Sequence, residues 1–313
     1  MTSALVPDQI TRVSAPDLTR DLDLLDDEVL KLLDCAREIK SAPRRYSEAL
    51  AGKSIGIFFE KPSLRTRLTF ELAIQQLGGY AVSGEGTIAE REPVKDVARN
   101  LDRWVNAIVA RTFAQRTVED LARWSSVPVI NALTDLYHPC QALADVFTIS
   151  ERFGELRGLK LAFVGDGNNV SHSIMLTALR LGVNFSIATP KGYQPHPDVA
   201  ADARIVAGVS GAQLVITNSP EEAVAGANAV YTDVWTSMGQ EKEVEQRRRD
   251  FTSFQVNEKL FSLARPDAIF LHCLPAKRGE EVTDGVIECP RSAVFDQAEN
   301  RLHAQKALLL MML

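Results

Sequence analysis

Short apolar runs alternate with helix-period segments along almost the whole of this sequence. The runs at 54–59, 80–82, 106–110, 127–131, 159–164, 184–188, 214–217, 229–232 and 268–271 are too short for helices and read as strands. Between them, segments at 22–39, 94–104, 118–124, 142–153 and 170–181 carry apolar residues at helical spacing. In the first of these, Leu25, Val29, Leu32, Leu33 and Ala36 share one face. Links of that length are crossovers rather than hairpin turns, so the strands run parallel with helices packed on the sheet. Arg157-Gly158 marks a join, after which the pattern starts afresh. The charged stretch 241–250 reads as a solvated loop or helix, and 83–93 as an acid-rich loop. The tail 307–313 is apolar and reads as the buried end of a docked terminal helix spanning 297–313.

In parallel sheets ligands bind beyond the carboxyl ends of strands. After the run at 54–59, Ser63-Leu64-Arg65-Thr66 opens a helix that Gly78-Gly79 closes. Free N–H groups and the positive dipole end meet there, so the turn suits an anion. Ser63 and Thr66 add hydroxyls, and Arg65 adds a planar cation matched to phosphate oxygens. A serine cap before a solvated basic turn would carry the same letters. Arg111 and His138 also follow strand ends, which strengthens the phosphate reading. Gly165-x-Gly167 after a strand invites a dinucleotide, but Val170 replaces the third glycine. The next strand also ends Ala188-Thr189-Pro190, with no acid for a ribose.

The chain has 313 residues, enough for two ordinary domains, and a formal charge of −6. A global nucleic-acid footprint is therefore absent, and any anion site is a local arginine cluster. Cys35, Cys140, Cys273 and Cys289 are widely spaced with no C-x-x-C pair. That usage argues against a zinc site or a disulfide framework and fits a reducing cytosol. The first residues lack the basic start and apolar core of a signal peptide, and no run is long enough to span a membrane.

Six pieces in this order resemble the aspartate/ornithine carbamoyltransferase family, over nearly the whole chain. They are Phe59-Glu60-Lys61-Pro62-Ser63-Leu64-Arg65-Thr66-Arg67, His138-Pro139-Cys140-Gln141-Ala142-Leu143-Ala144-Asp145 and Gly165-Asp166-Gly167-Asn168-Asn169-Val170. The others are Asp233-Val234-Trp235-Thr236-Ser237-Met238-Gly239, His272-Cys273-Leu274-Pro275, and the run from Phe295 through Arg301 to Leu309. The resemblance implies two Rossmann-like α/β lobes with parallel sheets. Residues 1–150, joined by the C-terminal helix 297–313 packing back on them, bind carbamoyl phosphate; residues 151–296 bind ornithine. It implies a cytoplasmic homotrimer, or a multiple of trimers, with sites at subunit interfaces, no metal and no organic cofactor.

By the same resemblance, Ser63, Leu64, Arg65, Thr66, Arg111, His138, Gln141, Cys273, Leu274 and Arg301 bind carbamoyl phosphate. Arg111, His138 and Cys273 carry the catalysis, and Asn169, Asp233, Ser237 and Met238 bind L-ornithine. Two positions depart from the family pattern. Leu64 replaces the usual threonine of the phosphate turn, and Thr87 stands where a glutamine often reaches a neighbouring subunit. The first departure keeps an N-acylated ornithine open as the acceptor, although Asp233 with Ser237-Met238-Gly239 is the pattern for free ornithine. A nicotinamide-dependent oxidoreductase and a silent trimeric binding protein are the readings from other classes.

Overall fold

The computed structural model describes residues 10–84, 86–88, 90–237 and 239–313, with Glu241 described in its backbone only. The chain divides into two compact units, one running up to Phe147 and taking in Glu299–Leu313, the other Thr148–Ala298.

In the first unit, α1 (Asp26–Ser41) precedes β1 (Ser54–Phe59), α2 (Leu64–Gln76), β2 (Tyr80–Gly84), α3 (Val94–Leu101), β3 (Ala107–Arg111), α4 (Gln115–Trp124), β4 (Val129–Leu133) and the residues of α5 (Pro139–Phe153) up to Phe147. The strands form one sheet in the order β2-β1-β3-β4, parallel throughout, as the alternation predicts. All five residues of β3 are buried, because a central parallel strand is covered on both faces. Ile108, Ala110 and Val129 pack with Ala98 and Leu101 of α3 and Val118 and Leu121 of α4. β4 begins later than the expected 127–131. Pro128 has no N–H to give a ladder, although its carbonyl still accepts from Ile108.

The second unit holds β5 (Lys160–Val164), α6 (Asn169–Arg180), β6 (Asn184–Ala188), α7 (Pro197–Ser210), β7 (Leu214–Thr217), α8 (Pro220–Val224), β8 (Ala229–Thr232), α9 (Val244–Phe251), α10 (Glu258–Phe261), β9 (Ile269–His272) and α11 (Asp284–Ile287). Its sheet is also parallel, in the order β7-β6-β5-β8-β9. Phe163 stacks on Tyr231 across neighbouring strands at 5.4 Å. The helix α7 was not legible in the sequence: its alanine-rich stripe (Ala200, Ala203, Ala207) is buried but weakly apolar.

The last helix, α12 (Val294–Met312), gives its residues from Glu299 onward to the first unit. There Val13 N–H donates to the Met311 carbonyl at 2.9 Å, and Ala307 to Met311 are buried. Lys40 Nζ reaches Asn300 and Lys306 Nζ reaches Gln76. The apolar tail is thus core, not a lipid anchor. Among the described residues, no helix is long and apolar enough to cross a membrane.

Candidate active site

Both sheets contain a switch point, where consecutive crossovers leave in opposite directions. In the first unit it lies between β1 and β3, and in the second between β5 and β8. A crevice opens at the carboxyl ends of such strand pairs.

In the first unit the crevice is flanked by the turn into α2. Ser63 has extended backbone and its side chain does not cap the helix. Its Oγ instead accepts from Arg111 Nη1 at 3.1 Å, at the end of β3. The first-turn N–H groups of α2 therefore have no side-chain cap, which leaves an anion-binding terminus. One turn on, the buried Thr66 accepts from Arg301 Nη2 of α12. Arg111 and Arg301 are only 7% and 4% exposed, so two buried guanidinium groups meet the same turn. His138, just ahead of α5, is buried beside them. Burial, then Arg301 and Arg111, push its pKa well below 6.5, so the imidazole is neutral. Gln141 lies in the first turn of α5, and its Nε2 donates to Asp145 Oδ1 at 2.7 Å. Its Oε1 is buried with no hydrogen-bond partner. Leu64 is 71% exposed and Arg65 half-buried. Glu60 ties the turn down: one carboxylate oxygen accepts from Ile88 N–H at 3.0 Å, the other from Phe113 N–H at 2.8 Å.

In the second unit Asn168 caps α6, its Oδ1 accepting from Val170 and Ser171 N–H, while its Nδ2 donates to Asp233 Oδ2 at 2.8 Å. Cys273 Sγ donates to the other Asp233 oxygen at 2.9 Å. Both oxygens of one carboxylate are thereby aimed by neighbouring strand ends. Leu274 adopts a positive φ of 57°. Its N–H donates to His272 Nδ1 at 2.9 Å, which places the ring proton on Nε2 facing the fully buried Glu281, 3.2 Å away. Asp233, His272 and Cys273 offer donor atoms within 4.8 Å of one another. With both ring nitrogens of His272 engaged, that trio suits a hydrogen-bonded cluster better than a cation.

The glycine turn has its own explanation. A Cβ on Gly167 would lie 2.3 Å from Gln194 C and Pro195 N, and its N–H donates to the Tyr193 carbonyl. The close approach that a dinucleotide would need at that glycine is made by the protein's own backbone. Gly165 adopts φ 144°, a conformation open to glycine.

Two family models match this chain in tandem. The aspartate/ornithine carbamoyltransferase carbamoyl-P binding domain matches residues 17–151, and the Asp/Orn binding domain of the same family matches residues 157–312. The chain belongs to the aspartate/ornithine carbamoyltransferase family. It is 52% identical to the ornithine carbamoyltransferase of Anoxybacillus flavithermus over 297 residues, 93% of this chain and 94% of that one. It is 52% identical to the Thermus thermophilus ornithine carbamoyltransferase over 305 residues, 95% and 98% of the two chains. The solved ornithine carbamoyltransferase of Pyrococcus furiosus superposes with a TM-score of 0.93 at 46% identity, covering 96% and 98%.

Of the expected site residues, Ser63, Leu64, Arg65, Thr66, Arg111, His138, Gln141 and Arg301 fall in the first unit. Asn169, Asp233, Ser237, Cys273 and Leu274 fall in the second; Met238 lies outside the described residues. Asn169 is the first residue of α6, whereas the neighbouring Asn168 makes the bond to Asp233. Sequence reasoning missed Asp145, Glu60, His272 and Glu281, all inside or beside recognised motifs, because it sought ligand contacts and not the groups that aim them. It also read 241–250 as a solvated loop or helix, and most described side chains there are exposed or half-buried. Arg247 in α9 is instead buried, paired with Asp166 at 2.7 Å and donating to the Trp235 carbonyl at 2.9 Å. A periodic pattern cannot reveal a charge whose partner lies 81 residues away.

Proposed function

We propose that the protein transfers the carbamoyl group of carbamoyl phosphate to the δ-amine of L-ornithine, giving L-citrulline and phosphate. The observation that carries this reading is the pair of buried guanidinium groups on the uncapped turn: Arg111 on Ser63 and Arg301 on Thr66, with neutral His138 between their fields. That arrangement suits a dianionic phosphate next to a carbonyl whose oxygen gains charge during reaction. Ser63, Arg65, Thr66 and the N–H groups of the turn, that of Leu64 included, grip the phosphate. Arg111 and His138 serve the carbamoyl oxygen. Gln141, with its unpartnered Oε1, takes the carbamoyl amide. Leu274 and Cys273 complete the donor's contacts.

Asp233 accepts the α-ammonium of ornithine, Asn169 donates to its carboxylate, and Ser237 and Met238 are the remaining ornithine-binding residues. The neutral δ-amine forms the new C–N bond, a tetrahedral centre follows, and the C–O bond to phosphate breaks with its electron pair. No enzyme-bound covalent intermediate is formed. The Asp233–Cys273 hydrogen bond supports a role in easing removal of the amine proton. The working form is a cytoplasmic homotrimer or a multiple of it. Leu64 keeps the backbone donor of the usual threonine and loses its hydroxyl, at about 1 kcal/mol of donor binding if that bond counts.

The test is an assay of the purified protein with carbamoyl phosphate and each candidate amine, scoring the ureido product. L-ornithine should turn over far faster than N-acetyl- or N-succinylornithine. No product from free ornithine rejects the proposal, and product from an acylated amine alone moves the assignment to that substrate. A parallel titration with nicotinamide dinucleotides should show no binding.

A further inference from the structure

Gln141 and Asp145 stand one helical turn apart on α5, 1% and 0% exposed. An amide side chain can present either its oxygen or its nitrogen to a neighbour, and the two ends have nearly the same shape. Here Nε2–H donates to Asp145 Oδ1 at 2.7 Å, and Oε1 is the end left buried without a partner. A carboxylate accepts and does not donate, so it holds the nitrogen and leaves the oxygen as the end open to a donor. We infer that Asp145 is a positioning residue that fixes the polarity of the Gln141 amide and thereby makes the site select a carbamoyl group over an acetyl group. The inference rests on the reading of this half-site as the carbamoyl-phosphate site.

The chemistry is a single difference. Carbamoyl and acetyl phosphate match in shape and charge, but one carries an NH2 where the other carries a methyl. Only the NH2 can donate to Oε1. The methyl leaves a buried acceptor unsatisfied, which corresponds to roughly a ten- to hundredfold preference for the carbamoyl compound. Reversing the amide would set its own N–H groups against the substrate's NH2 and erase that preference.

Asp145→Asn tests this. The asparagine offers Gln141 a donor as well as an acceptor, so it no longer holds the amide one way round and lets it reverse. Relative to wild type, the ratio of acetyl phosphate inhibition constant to carbamoyl phosphate KM should fall about ten- to hundredfold. Binding of inorganic phosphate, which touches neither end of the amide, should stay within about twofold. The double variant Asp145→Asn with Gln141→Glu restores an acceptor, held by the asparagine amide, and should restore the ratio. If folded Asp145→Asn keeps the wild-type ratio, the inference is wrong. If neither variant binds phosphate, Asp145 serves the fold alone and the inference is equally wrong. A wild-type protein that consumes no carbamoyl phosphate overturns the functional reading itself, a result separable from the other two.

Discussion

Arg111 and Arg301 are buried cations in a protein of formal charge −6, each held to a hydroxyl of the same turn. Both bring positive charge to that turn and so add to its attraction for an anion. Arg65, half-buried in that turn, should add to the grip. Arg65→Ala should lower kcat/KM for carbamoyl phosphate about ten- to hundredfold, the range for one charge-assisted hydrogen bond, and steady-state kinetics will show it. His138 carries a second prediction. Its folded pKa lies well below 6.5, so between those values the unfolded chain binds a proton that the folded chain does not. Stability then rises with pH across that window and is lost as pH falls below about 6.5. Urea unfolding from pH 7.5 to 5.5 should give wild type a steeper loss than His138→Gln.

At the scale of elements, two contacts hold the chain segments that follow β5 and β8. The first is the crossing of Gly167 by the Gln194–Pro195 backbone. Gly167→Ala forces that backbone to move and should destabilise by about 1–3 kcal/mol, read as a lower Tm. The second is Arg247, which reaches from α9 to Asp166 and to the Trp235 carbonyl, with its guanidinium over the Tyr193 ring. Burial raises the Asp166 carboxyl against the pull of Arg247. Arg247→Met would leave that carboxyl buried and unpaired, at a cost of roughly 3–5 kcal/mol in denaturant unfolding. The alternation of strands and helices was legible because parallel strands are apolar on both faces. The helix α7 and the buried face of α9 were not, since small or charged residues hide in tertiary contacts that local pattern does not record.

At the scale of the whole molecule, the first unit is built from both ends of the chain. The C-terminal residues supply Arg301, the carbonyl of Met311 and a buried apolar run. A chain cut after Ala298 should therefore fail to fold its first unit cooperatively, seen as lost near-ultraviolet circular dichroism and a broad thermal transition. Residues 148–298, which carry their own sheet and core, should keep a cooperative transition when expressed alone. Substitution of Arg301 in the full chain separates the two contributions of the tail: Arg301→Met should weaken phosphate binding while leaving the fold in place.

What the order of residues determined alone was the periodic part of the molecule: parallel strands, their crossover helices, the anion-binding turn, and motifs specific enough to point to a family. These are local, because an apolar run of strand length and the N–H groups of a helix start are set by neighbouring residues. Only the folded chain decided which groups aim the others. Asn168 and Cys273 fix Asp233, Asp145 holds Gln141, Arg301 comes back to Thr66, and Arg247 is buried on Asp166. Most of these bonds join residues far apart in sequence, and hydrogen-bond direction depends on three-dimensional approach, which no linear pattern encodes.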